Sequence, residues 1–109
     1  MNKIDCITLL GEVLTKIDIR RGSMPPGTPS RKYLDDLREE FSSYQVELAD
    51  LIFKEADQRY KDVTNELKAA AKKIEIELSG IDNILELVES STALLSIIDN
   101  LFLLAIDIG

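Results

Sequence analysis

The stretch PSRKYLDDLREEFSSYQVELADLIFKEADQRYKDVTNELKAAAKKIEIELS, Pro29 to Ser79, decides the fold, because after its first residue it contains neither proline nor glycine. Apolar residues recur along it at helical spacing. Tyr33, Leu37, Phe41, Tyr44, Leu48 and Leu51 step by threes and fours, and Ala56, Tyr60, Val63, Leu67, Ala70 and Ile74 continue in the manner of a coiled-coil seam. Opposite charges four apart, Asp50 with Lys54, Glu55 with Arg59 and Asp57 with Lys61, favour helix across the middle. The spacing predicts one long helix over residues 29–79.

Size argues against that simple reading. A helix of about fifty residues is roughly 75 Å long at 1.5 Å per residue. A compact domain of 109 residues has a radius of gyration of only about 13 Å. Either the molecule is elongated or the helix breaks. The strongest internal break signal is Ser42-Ser43-Tyr44-Gln45, whose first and last residues match a capping box.

Upstream, GSMPPGTPS, Gly22 to Ser30, holds all three prolines and two of the five glycines, so residues 22–28 form a loop. Thr28 can cap the following helix, and Pro29 suits its first turn. Before the loop, Ile4, Ile7, Leu10, Leu14 and Ile17 mark a helix over residues 3–19, capped by Asn2 and tolerant of Gly11, with Arg20 and Arg21 suited to its negative end. Downstream, Gly80 is a boundary, and Ser79 or Asp82 can cap a terminal helix over residues 82–107. Ile81, Leu85, Val88, Leu95, Phe102 and Ile106 mark one face of it. The expected fold is therefore all-α: one domain over residues 1–109, an antiparallel bundle of three helices with a long central helix. The alternative is a compact four-helix bundle with a break near Ser42-Ser43.

Composition narrows function by exclusion. There is no histidine, so serine and cysteine triads, the usual zinc sites and Glu-x-x-His di-iron sites each lose a required part. The single cysteine, Cys6, cannot form an internal disulfide, which favours a reducing, cytoplasmic setting, and the apolar residues around it read as core rather than as the surroundings of a nucleophile. Asp5 and Glu12 interrupt any export-signal core. The net charge is −7, and residues 81–109 carry five acids and no base. That distribution argues against nucleic acid and anionic membrane, which are bound through Lys and Arg. The basic groups Arg20, Arg21, Arg31, Lys32 and Lys68, Lys72, Lys73 lack interleaved aromatics and read as solubilising charge.

Carboxylates remain. Asp35, Asp36, Glu39 and Glu40 cluster at the start of the long helix, and Asp62 and Glu66 lie one turn apart, but the chain has no calcium-loop pattern, and the first cluster suits the positive end of a helix dipole. The motif-like fragments Pro26-Gly27-Thr28-Pro29 and Arg20-Arg21-Gly22-Ser23 sit in a stretch whose structural role is already clear. No catalytic residue, metal site, cofactor or small-molecule substrate is expected.

The terminal segment STALLSIIDNLFLLAIDIG, Ser91 to Gly109, is the remaining signal. Its longest unbroken apolar run is only Leu101 to Ile106, with Asp99, Asn100 and Asp107 close by. A span needs about twenty apolar residues, so no transmembrane helix is expected. A wheel projection leaves a narrow polar stripe at Ser96, Asn100 and Asp107, which implies burial on several sides. Beside an elongated central helix such burial requires a second chain. Leu94, Leu95, Ile98, Leu101, Phe102 and Ala105 are therefore the expected self-association or core interface of a homodimer. The leading functional expectation is a non-enzymatic helical protein–protein interaction module, acting as inhibitor, adaptor or assembly subunit, whose acidic last third suits a basic partner. The alternative is a helical bundle that binds a small ligand or divalent metal through carboxylates alone.

Overall fold

Helices form here where the apolar spacing is helical, and they stop where the end groups of the backbone find partners elsewhere in the chain. The computed structural model describes residues 1–80 and 84–106. Among these residues there are four helices: α1 (Lys3–Gly22), α2 (Pro29–Asp50), α3 (Gln58–Ser79) and α4 (Ile84–Phe102). Asn2 caps α1 by a reciprocal box with Asp5, and Thr28 accepts from the Arg31 N–H at the start of α2 with Pro29 in its first turn. Helix α1 runs past residue 19 as far as Gly22, where Ser23 turns the chain by returning its own N–H and Oγ to Arg20 O. In the loop beyond, Gly27 takes a φ of 84°, a left-handed conformation that glycine adopts without steric cost.

The long central helix over residues 29–79 does not exist, and neither does a break at Ser42-Ser43. The chain leaves helix at Leu51 and re-enters it after Asp57. Ser43 Oγ donates back to Glu39 O one turn earlier, and Gln45 Nε2 donates to Ile7 O on α1. Gln45, the last residue of the capping-box match, is thus engaged with α1, and α2 runs through the match unbroken. Residues 51–57 hold no glycine or proline to break the helix; Asp57 offers a local start for α3, and the end of α2 is held from outside. Lys3 Nζ donates to Ala49 O and Leu51 O, both at 2.9 Å, satisfying carbonyls that the ended helix leaves open. Lys3 N–H donates to Glu55, and Ile52 O accepts from Ile106 N–H at 2.7 Å. Asp57 accepts from Arg59 N–H to cap α3, and the adjacent Arg59 guanidinium holds the Asp57 carboxyl down to about 2. The charge pairs that favoured continuity, Asp50 with Lys54, Glu55 with Arg59 and Asp57 with Lys61, all fall across this break. None forms among the ion pairs of the described residues, where Asp57 pairs with Arg59 instead.

The break makes a compact four-helix bundle of radius of gyration 14.4 Å and extents 45 × 24 × 18 Å, too short for an unbroken helix of about 75 Å. Helices α1 and α2 form one antiparallel hairpin, tied by Arg38 to Asp18 and Arg21 to Asp35, and α3 and α4 form the other. The hairpins dock with α1 beside α3 and α2 beside α4, while α2 and α3 make no close approach. Cys6 lies 4.0 Å from Tyr60 near the starts of α1 and α3, and Arg20 and Leu78 line one groove near their ends, so this pair runs in the same direction. The connector 51–57 therefore crosses a diagonal at one end of the bundle. There Phe53, 8% exposed, closes the core against Tyr60 with ring centroids 5.6 Å apart, and it bridges to Ala105.

In α4 the buried positions are Leu87, Ser90, Ser91, Leu94, Ile98 and Leu101. Of the expected face, Leu85 and Ile106 are exposed, and Val88, Leu95 and Phe102 are half-buried. A helix apolar nearly all round does not encode its own rotation. The neighbours set it. Ile81 and the extension of the terminal helix to 82 and 107 lie outside the described residues, and after Phe102 the chain turns and forms the Ala105 bridge. Among the described residues no helix is long and apolar enough to cross a membrane.

If Phe53 closes this end of the core, Phe53→Ala should destabilise the protein by about 3 kcal/mol, the low end for a buried aromatic truncation. Urea unfolding should show a lower midpoint and an unchanged slope. A shift below about 0.5 kcal/mol, the size of a surface substitution, would place Phe53 outside the core.

Candidate functional site

The two hairpins do not close evenly. Helices α2 and α4 touch less than any other neighbouring pair, and the seam between them opens into a groove of about 410 Å³. Its apolar lining is Leu37 from α2 with Val88 and Leu95 from α4, and Tyr33 and Tyr44 stand along the α2 side. Asp36 and Glu40 enter from α2, and Asp99 enters from α4 beside the hydroxyls of Ser91, Thr92 and Ser96. Among the described residues no lysine, arginine or histidine lines it.

This arrangement follows from helical spacing applied to the acidic cluster. Asp35 turns toward α1, where Arg21 reaches it at 2.9 Å, and Arg31 of its own helix lies 3.6 Å away. Asp36 and Glu40, one turn apart, turn toward α4 instead. Asp36, Glu40 and Asp99 take part in none of the ion pairs among the described residues. The basic residues flanking the proline loop are used differently: Arg21 and Arg31 pair with Asp35, and Arg31 also donates to Met24 O. The groove is thus an uncompensated negative strip with an apolar lining.

The tyrosines register that field. The Tyr44 phenol is pushed above its ordinary range, first by burial, then by its hydrogen bond with Asp99 and by the charges of Asp99, Glu40 and Glu47. The Tyr33 phenol is also raised, chiefly by burial; Ser91 opposes the shift and Glu40 adds to it. Glu40 acts on both hydroxyls and is the central carboxylate of the strip. Phe102 backs Tyr44 with ring centroids 5.5 Å apart at 48°. At the inner wall Ser91 is 1% exposed. Its Oγ faces Tyr33 but makes no hydrogen bond of proper geometry.

The interface residues expected from sequence separate into two sets. Leu94, Ile98 and Leu101 are fully buried in the protein's own core, while Leu95, Phe102 and Ala105 are half-buried. Of these, Leu95 lines the groove and Phe102 supports it through Tyr44. The elongated central helix, which was the reason to seek a second chain, is absent. Sequence reading missed the groove itself. Its only foreshadowing was the Asp36 and Glu40 spacing, which identifies a shared helix face but not what that face meets.

Elsewhere, Cys6 is fully buried and its thiol is raised by burial, which suits a core side chain. Among the described residues no group of three or more His, Cys, Asp or Glu is placed to hold a metal ion. Comparison with known protein families, with curated proteins and with solved structures finds no match. The functional reading rests on the groove.

The electrostatics can be checked at Tyr44. Asp99→Asn removes a negative charge that disfavours the phenolate, so the Tyr44 pKa should fall toward the ordinary value of about 10. Titration of the Tyr44 ring carbon by NMR should show this fall while Tyr60 stays unchanged. An unmoved Tyr44 titration would disconnect the two residues.

Proposed function

We propose that this chain is a non-enzymatic protein-interaction module that binds a basic, amphipathic segment of a partner protein along the α2/α4 groove. The observation that carries this reading is the strip of three carboxylates, Asp36, Glu40 and Asp99, facing an apolar-lined groove without a cation. Charge complementarity speeds encounter and selects the partner, and burial of apolar side chains supplies affinity. Tyr33 and Tyr44 are eleven positions apart on α2, about 16 Å of helix, a length that matches three turns of a bound helix. The carboxylate-only metal reading has no comparable grouping behind it. A reducing, cytoplasmic setting fits the single buried Cys6.

The test is fluorescence anisotropy with a labelled eleven-residue peptide carrying leucine on one helical face and arginine or lysine on the other. Binding should weaken steadily with added salt. Combined Glu40→Gln and Asp99→Asn should weaken it by about tenfold, the sum of two modest charge losses. Undiminished affinity in that variant, or no binding by the unaltered protein, would overturn the reading.

A second reading, self-association, has its own support at the end of the bundle where the connector crosses. Opposite the inward Phe53–Ala105 bridge, Ile52 and Ile106 face outward at 49% and 44% exposure, and Leu103 nearby is 82% exposed. Joining two such ends would cover these side chains. Sedimentation should then show a concentration-dependent dimer that Leu103→Glu abolishes without loss of helicity. A monomer at all concentrations up to millimolar would end this reading and leave the groove untouched.

A further inference from the structure

A buried hydroxyl without a hydrogen-bond partner is uncommon in a folded protein, because leaving it unmet sacrifices the hydrogen bonds it made in water. Ser91 is such a group. It sits on α4 with 1% exposure, its Oγ faces the Tyr33 hydroxyl without meeting it at proper hydrogen-bond geometry, and it lines the groove between α2 and α4. Helical serines have a ready remedy, donation to the carbonyl one turn earlier. Its neighbour Thr92 takes it, bonding Val88 O at 2.9 Å, as do Ser43 and Ser79 on the other helices. Nearby Ser90 instead donates to Glu77 at 2.8 Å. Ser91 alone of these points its capacity at the groove, beneath the Tyr33 hydroxyl and on the side of the strip that Glu40 serves.

We infer that Ser91 is a specificity residue of this groove: it accepts a hydrogen bond from an arginine side chain of the bound basic segment, so the site prefers guanidinium to ammonium. The inference rests on the reading of the groove as a basic-segment site. Three features favour arginine. The acceptors are of mixed kind, Ser91 and Tyr33 hydroxyls with the Glu40 carboxylate, and a guanidinium offers five N–H donors in a fixed plane where an ammonium is a single point charge. Tyrosine faces at the groove allow planar stacking as well as cation–π attraction. A guanidinium is also more weakly hydrated, so bringing it to the apolar lining of Leu37 and Leu95 loses less solvation. A second copy of this chain is a poorer occupant, because a two-fold pairing through the groove would set one acidic strip against another.

The experiment compares two labelled eleven-residue amphipathic peptides, identical except that one carries arginine and the other lysine on its polar face. Each is titrated by anisotropy against the unaltered protein and against Ser91→Ala. Alanine is the best helix former and removes the unmet hydroxyl, so the variant should fold with an equal or higher Tm. The unaltered protein should bind the arginine peptide more tightly. Ser91→Ala should lose roughly tenfold for the arginine peptide, the size of one hydrogen bond to a charged group, and change little for the lysine peptide. A purely structural serine would move Tm and leave this discrimination intact. If both peptides bind the unaltered protein equally, or if the folded Ser91→Ala protein keeps its arginine preference, the inference falls while the basic-segment reading stands. If neither peptide binds, both fall together.

Discussion

The ammonium of Lys3 on the carbonyls of Ala49 and Leu51 is the contact on which the rest of the structure depends. A helix that stops without glycine or proline leaves its last carbonyls open, and in a chain of this composition continuing is the easier local choice. The break becomes favourable only because the first turn of α1 supplies a cation to one side of it, and residue 106 supplies an N–H to Ile52. Once α2 stops there, α3 can return beside α1, and the apolar seam that would have run along a rod is folded into one core. Tyr60, Leu67, Ile74 and Leu78 of α3 then share that core with Leu10, Val13 and Ile17 of α1.

What neighbouring residues set in this fold is legible in the sequence, and what distant partners set is not. The start of α1, the proline loop, the Thr28 cap and the Gly80 boundary are fixed by residues acting on their own neighbours, and local spacing reveals them. The break at 51–57 is fixed by partners some fifty residues away in sequence, Lys3 on one side and Ile106 on the other. No window of local reading contains both members of such a pair. Size requires a break, but Gln45, the last residue of the capping-box match, is committed to Ile7 O on α1 from inside a continuous helix. The rotation of α4 was lost for a different reason. With leucine and isoleucine on almost every side, its spacing supports several faces equally, and the choice of Leu94, Ile98 and Leu101 belongs to the helices around it.

The groove is a by-product of the same topology. A connector that crosses the diagonal places α1 against α3 firmly, and it leaves α2 and α4, also joined by no hairpin loop, in looser contact. Their seam is where large side chains, Tyr33 and Tyr44, stand and where the acids from both sides gather. The sequence displayed those acids as a simple run near a helix start. Packing divided the run, sending Asp35 to an arginine of α1 and Asp36 and Glu40 to the seam. What reads in one dimension as a single solubilising cluster is in three dimensions a structural ion pair and an unpaired strip.

The bridge between Phe53 and Ala105 has a consequence for the order of assembly. Each hairpin turns at one short connection, and the helix pairs nearest that turn sacrifice the least chain entropy on closing. The bridge joins residues 52 positions apart, and it seals the core end that Phe53 plugs. The last residues of the described chain thus act as a latch on a joint laid down near its middle. Until that latch engages, two formed hairpins would share an open end, so cooperative unfolding should begin where the chain's two extremities and its midpoint meet.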